Sequence, residues 1–340
     1  VMPADSAGRA VGSAPMVAPR SGAAPQTPAE VSHDADSVRP AAVLTRAAWL
    51  AAIVVLLGAV TFRLFVLSRS DAFDGHTRDA AAAKLADRTL LAGAVFLAAT
   101  IVRLYLQGRM MADQLPSSAP LRVLTMDTRW GLVWRMQVGA GLLALVGLLV
   151  ARRRLPVGWA VTAVAAALIA LGAALGGHAG AADQFTSFAV ADDALHVLGA
   201  SGWLGGLFWV VAVGMFPLRD VSDDSTHRIA TLVRSFSPVA LWCAGLAALS
   251  GVVSAWLRIG SISALATTSY GQVLVLKLAL VAAAAGFGFY NWRHLRPALG
   301  SDPATARLRR SATRELVVAA AIVLVTAVLV GLPTPVPGMR

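Results

Sequence analysis

The sequence is poor in cysteine and in charged residues. A single cysteine, Cys243, in 340 residues excludes an intramolecular disulfide framework and a zinc site built from cysteine thiolates. Only 14% of the residues are Asp, Glu, Lys or Arg, whereas a soluble globular domain carries roughly 25%. With 57% hydrophobic residues and a mean hydropathy of +0.69, the composition excludes an ordinary soluble domain and is typical of a membrane protein.

Several functional motifs are also missing from the sequence. It has no phosphate-binding loop, no nucleophile–base arrangement and no dinucleotide fingerprint, so we expect no catalytic residues, no enzymatic activity and no ATP-driven transport within this chain. The net charge of +11 would suit nucleic acid, but the basic residues fall between apolar runs, and we expect no such partner. Residues 1–40 are rich in Pro, Ala, Ser and Gly and lack the apolar core of a secretory signal, which predicts a disordered tail.

Apolar runs of about 20 residues, long enough to cross a bilayer as helices, recur along the rest of the chain. They predict an all-α membrane bundle of about eight transmembrane helices. The predicted spans are Ala47–Leu67, Thr89–Gln107, Gly131–Ala151, Val157–Leu175, Ala194–Phe216, Ser237–Leu257, Gly271–Asn291 and Ala312–Leu332. A similarity between residues 128–131 (Thr-Arg-Trp-Gly) and 268–271 (Thr-Ser-Tyr-Gly) favours two four-helix halves, residues 41–176 and 177–340, related as a parallel repeat.

Basic residues concentrate in alternate loops. Residues 152–154 are all arginine, and the loop after the seventh predicted span is also rich in arginine, whereas residues 176–191 contain neither lysine nor arginine. The positive-inside rule then places the 176–191 loop and both termini outside the cytoplasm, on the periplasmic side of a bacterial inner membrane. The loop that contains Arg109, Arg122 and Arg129 runs against this rule.

Two histidines flank the loop that lacks positive charge. His178 follows the fourth predicted span, and His196 lies in the first turn of the fifth. Imidazoles at the rim of a membrane bundle are candidate metal or haem ligands; the alternative is two interfacial side chains that contact water. Asp192 and Asp193 precede His196 by four and three residues, so a carboxylate would orient the imidazole, bind the metal directly, or cap the helix.

Three methionines are expected near the same face: Met110, Met111 and Met126. Thioethers and imidazoles select Cu(I), whereas Cu(II) prefers nitrogen and oxygen donors. Methionine also fills gaps in apolar cores, which is the alternative for each of the three. The oxidation state of a bound copper ion stays open at this point.

Three more side chains inside the predicted spans are candidates for function. Charges in a membrane are costly; Lys277 lies about two turns into the seventh span, where a buried partner would explain it. Glu315, beside Arg314, is expected to extend toward the cytoplasmic interface, as Arg135, one turn into the third span, is toward the outer one. Trp203 lies on the same helical face as His196, either as a core residue or as a cation–π neighbour of a bound metal.

Together these residues resemble the copper resistance protein D (CopD) family of bacterial inner-membrane proteins. The resemblance is carried by His178, Asp193-Ala194-Leu195-His196, Trp203-Leu204-Gly205-Gly206, Thr268-Ser269-Tyr270-Gly271, Lys277, Asn291 and Arg314-Glu315. It implies an eight-span plasma-membrane protein that binds copper through outer histidines and moves it inward. It also implies a periplasmic copper-binding partner of the CopC type; residues 1–40 contain no such domain, so a separate protein is expected.

Two other functions remain open from the residues alone. His178 and His196 would also serve as the axial ligands of a haem-binding membrane cytochrome. A factor that delivers copper to an oxidase without transporting it would have the same sequence features.

Overall fold

A computed structural model describes residues 39–70, 74–112, 120–177, 186–215, 223–295 and 302–335. These residues form helices and turns with no strand among them. Eight helical segments are long and apolar enough to cross a membrane, which confirms the predicted architecture. They are α1 (Pro40–Arg69), α2 (Gly75–Met110), α3 (Arg129–Ala151), α4 (Pro156–Leu175), α5 (Thr186–Val213), α6 (Ile229–Ile259), α7 (Ser269–His294) and α8 (Arg310–Leu329). The predicted tail lies outside the described residues up to residue 38.

Contacts between helix termini define the two ends of the bundle. At the end that contains His196, called here the histidine end, Arg46 near the start of α1 donates a hydrogen bond to the Ala327 carbonyl near the end of α8 (3.1 Å). At the opposite end, Arg88 in α2 donates to the Ala212 carbonyl in α5 (2.9 Å). The helical backbone of α6 and α8 starts before the apolar part of each span, at Asp223 and Asp302.

The centre of the bundle is the crossing of α1 and α5. Leu56, Ala59 and Phe62 of α1 are fully buried. Near them Gly205 of α5 faces α1 so closely that an added Cβ atom would lie 2.0 Å from the Val54 carbonyl oxygen. Only glycine permits this approach, and close backbone packing is what joins helices where lipid offers no hydrophobic driving force.

The two similar tetrapeptides adopt the same local structure. Thr128 and Thr268 each precede a helix, α3 or α7, with an extended backbone, and each hydroxyl accepts a hydrogen bond from the glycine amide three residues later at 3.0 Å. Each hydroxyl also donates to the carbonyl four residues earlier at 2.6 Å. These are N-caps with matched partners. The division into two halves stays a prediction, and these caps are the structural feature that both halves share.

Candidate functional site at the histidine end

His196 lies deeper along its helix than the sequence predicted. Helix α5 begins at Thr186, so His196 falls in the third turn, and the predicted start at Ala194 was wrong by eight residues. The cap role considered for Asp192 and Asp193 was wrong for the same reason. The helix continues through these acidic residues because α6 supplies polar partners for their side chains.

The imidazole of His196 is oriented by α6. Its Nδ1 atom lies 2.9 Å from the Ala247 carbonyl oxygen and 3.3 Å from the Ser250 hydroxyl. A carbonyl only accepts hydrogen bonds, so Nδ1 carries the proton and the lone pair is on Nε2. The ring packs on Gly251, where an added Cβ would lie 3.2 Å from Cε1. A backbone carbonyl on one ring nitrogen is the usual arrangement that prepares the other nitrogen to bind a metal.

The two aspartates beside His196 bind α6 rather than the imidazole. The Ser254 hydroxyl lies 2.7 Å from Asp192 Oδ2 and 2.8 Å from Asp193 Oδ1. The Arg258 guanidinium donates to Asp193 Oδ2 at 2.5 Å, and both side chains of this ion pair are mostly buried, with exposed fractions of 16% and 17%. Asp193 therefore does not orient His196, as one interpretation of the sequence had it. The pair fastens α5 to α6 beside the histidine.

Two residues of α7 complete the polar cluster at this end. Tyr270, 5% exposed, interacts with the Arg258 guanidinium. Lys277, two turns further along, lies within electrostatic range of His196, Asp193 and Arg258. The His196 imidazole thus sits among two cationic and two acidic side chains drawn from three helices. We refer to Asp192, Asp193, His196, Ser254, Arg258, Tyr270 and Lys277 as the histidine-end cluster.

The remaining predicted ligands are either outside the described residues or make no described contact with this cluster. His178 and the side chain of Met111 lie outside the described residues. Met110 is partly buried at the end of α2. Met126 is 60% exposed, and its sulfur accepts a hydrogen bond from Arg135.

Trp203 and Glu315 lie away from His196. Trp203 falls in a π-helical turn of α5, Ser201–Gly205, a backbone feature that is frequent at functional sites. Its indole packs against an apolar cluster of Leu204, Ala284, Ala319 and Ile322. Glu315 lies at the opposite end of the bundle and is 5% exposed. The prediction that it extends to the interface was therefore wrong.

Sequence reasoning missed the contribution of α6. The predicted span Ser237–Leu257 left Arg258 outside the helix, although this residue ends a polar stripe in which Ser250, Ser254 and Arg258 recur every four residues. That spacing puts all three on one face and would have predicted a polar partner for α5. The Ala247 carbonyl leaves no signal in a sequence, because any residue at that position provides one.

The described residues bring together too few side chains to form a complete metal site. Within the described ranges no group of three or more His, Cys, Asp or Glu side chains is placed to hold a metal ion. His196 offers one imidazole nitrogen, while the Asp193 carboxylate is occupied by Arg258 and Ser254. A copper site at this end therefore requires further ligands, and the predicted partner, His178, comes from the segment that joins α4 to α5.

Eight apolar helices with a buried network of ionisable side chains at one end define a multi-pass membrane protein. Two sequence models of one family match the chain: copper resistance protein D over residues 230–329, and copper resistance protein D-like, N-terminal domain over residues 35–188. The chain belongs to the copper resistance protein D family. Family membership gives it a copper-related function in a membrane, as the resemblance implied.

One curated relative is the copper transport protein CutJ of Bacillus subtilis (strain 168), which is 26% identical over 219 residues. The match covers 63% of this chain and 39% of CutJ, so the chain spans well under half the length of that relative. No solved structure matches the chain.

Proposed function

We propose that this chain moves copper across the bacterial plasma membrane, and that it accepts the ion at the histidine end. The observation that carries the proposal is the His196 ring, whose Nδ1 is bound to the Ala247 carbonyl so that Nε2 is the donor nitrogen. His178 would be the second ligand, with Met110 or Met111 as further donors. With the orientation that the positive-inside rule predicts, this end would face the periplasm, where a separate CopC-like protein would supply the ion.

The cluster around His196 suits a transfer site better than a storage site. Two cations, Arg258 and Lys277, lie within electrostatic range of the imidazole and oppose the charge of a bound metal, while Asp193 offsets part of that effect. An ion held between opposing charges is bound strongly enough to enter and weakly enough to leave, which conduction through a membrane requires. No reaction on a substrate is involved in this proposal, in which copper is the cargo.

The test is a copper titration of the detergent-purified chain, with the wild type beside His196→Ala. His294→Ala is the matched control, because His294 is an exposed histidine at the opposite end of the bundle. Loss of an outer-shell partner already costs about 10–100-fold in metal affinity. We therefore expect at least that loss for His196→Ala and none for His294→Ala. Equal affinity of the two variants would contradict the site.

A second measurement separates transport from the other functions. Copper uptake into vesicles that contain the wild-type chain supports transport, whereas copper binding without uptake supports a delivery factor. The absorption spectrum of the same preparation tests the haem interpretation, since bound haem gives a Soret band and copper does not.

A further inference from the structure

The opposite end of the bundle holds a buried acid without a counter-charge. Glu315 in α8 is 5% exposed, and its Oε2 accepts a hydrogen bond from Asn291 Nδ2 of α7 at 2.9 Å. Its Oε1 faces Gly288, where an added Cβ would lie 3.3 Å away, so the glycine makes room for the carboxyl. Among the described side chains, none forms an ion pair with Glu315.

The Asn291 amide supplies a second, independent observation. Its Oδ1 atom is buried and has no hydrogen-bond partner among the described residues. An ionised carboxylate only accepts hydrogen bonds, so it satisfies the Nδ2 donor and leaves Oδ1 unpaired. A neutral carboxylic acid has an O–H group and, with a small rotation, would donate it to Oδ1. Both buried polar groups are then paired, which is the rule in folded proteins.

Charged groups near this end do not supply the missing partner. Those described on α8, on its helical extension and on the elements packed against it are Arg307, Arg310 and Arg314 of α8 and its extension, Arg293 and His294 of α7, Arg234 of α6, and Arg63 and Arg69 of α1. All are exposed except Arg63, which is partly buried in electrostatic range of Asp79 and Arg78. The carboxyl is thus enclosed by neutral groups, and a buried charge left unpaired is strongly unfavourable.

We propose that Glu315 and Asn291 form a proton-binding site, and that Glu315 releases its proton as copper leaves the histidine end and takes one up again afterwards. The acid would lose H⁺ to water at the opposite end when the cation approaches, so that the carboxylate balances part of the charge of the metal. The coupling to copper rests on the proposed function, whereas the proton site itself does not.

Helix α7 connects the two polar regions. Lys277 of the histidine-end cluster and Asn291 are 14 residues apart on one face of α7, about 21 Å along the axis. Between them this face presents Ala284, packed against Leu204 of α5 and Ala319 of α8, and Gly288, which faces Glu315 of α8. Small residues on this face let the helices approach closely, and ionisable groups inside a membrane bundle commonly take part in proton relays.

Infrared spectroscopy of the full chain in lipid tests the proton site without copper. We expect a carbonyl band of a protonated carboxylic acid at neutral pH that is absent in Glu315→Gln, an isosteric variant. Asn291→Leu should shift the band, because the amide hydrogen bond is lost. Asp87→Asn is the control, since Asp87 is an exposed carboxylate at the same end, and it should leave the band unchanged. An unchanged spectrum in Glu315→Gln would overturn the proposal.

The coupling is tested in vesicles that contain a pH-sensitive dye. In the wild type, addition of copper should produce a transient proton release at the opposite end, because Glu315 loses its proton as the ion approaches and regains one once the ion has left. Glu315→Gln should abolish this transient while copper binding at the histidine end stays unchanged. Copper uptake without proton movement in the wild type would refute the coupling and leave the proposed function intact. Absence of uptake in the wild type would refute the proposed function, and the infrared result would still decide the proton site. If Glu315→Gln bound fewer copper ions than the wild type, Glu315 would be a metal ligand and the proposed proton site would be wrong.

Discussion

The ion pair between Asp193 and Arg258 makes the most direct test of how the histidine end is held together. Removal of one partner of a buried pair typically costs 3–5 kcal/mol, because the remaining charge is left without a counter-ion. These side chains are 16% and 17% exposed rather than fully buried, so water would solvate part of the charge. We therefore expect Asp193→Asn to lower the free energy of unfolding by about 2–3 kcal/mol.

The chain offers a matched control at the other end of the bundle. Asp87 and Arg152 form an ion pair at 3.6 Å, and their side chains are 60% and 48% exposed, respectively. Exposed pairs contribute about 0–1 kcal/mol, so Asp87→Asn should change stability much less than Asp193→Asn. The measurement is reversible unfolding of the purified chain in mixed micelles with increasing denaturing detergent, followed by tryptophan fluorescence.

A double variant separates the pair from its surroundings. Asp193→Asn combined with Arg258→Gln removes both charges, and we expect it to recover most of the stability that Asp193→Asn loses. The reasoning would be refuted if Asp193→Asn cost no more than Asp87→Asn. It would also be refuted if the double variant were as unstable as the sum of the two single changes, since the side chains would then act independently.

Two further predictions use glycines that differ only in their surroundings. Gly251→Ala should weaken copper binding about tenfold, because its Cβ would displace the His196 ring. Gly245→Ala on the same helix has nothing within 4 Å of its added Cβ, so it should bind copper as the wild type does in the same titration. Gly205→Ala should destabilise the chain by about 1–3 kcal/mol or more in the unfolding assay, because the added methyl group overpacks the helix crossing. Gly139→Ala, whose added Cβ also meets nothing within 4 Å, should be neutral or slightly stabilising. Equal effects within either pair would contradict the packing described.

The sequence predicted the eight spans well, because lipid leaves a long apolar run no structure other than a helix. It failed at the start of α5, where Asp192 and Asp193 reduced the apparent hydrophobicity and moved the predicted start to Ala194. These acids are tolerated inside the helix because Ser254 and Arg258 of α6 pair with them. Such compensation depends on which helices are neighbours, and a hydropathy pattern examines one helix at a time.

The candidate site, too, was predictable only where a single segment of sequence decides the outcome. The sequence singled out His196 from its place beside a loop without positive charge, and the structure describes it in a polar cluster. The orientation of its ring depends on a backbone carbonyl of Ala247, about five turns into another helix, α6. The sequence could therefore single out His196 as a candidate ligand but could not predict which ring nitrogen carries the proton.

Arg135 and Glu315 show how far a charge inside a span can be interpreted without a structure. Both were expected to extend to an interface, and Arg135, with an exposed side chain bonded to Met126, does lie at the surface. Glu315 does not, because it shares a helical face with the buried residues Ala312 and Ala319, three and four residues away. Position along a helix measures only the distance to water, whereas position around the helix decides whether a side chain faces the bundle. Since Glu315 faces inward with a neutral partner, a role in function explains a buried acid at this position better than contact with the interface.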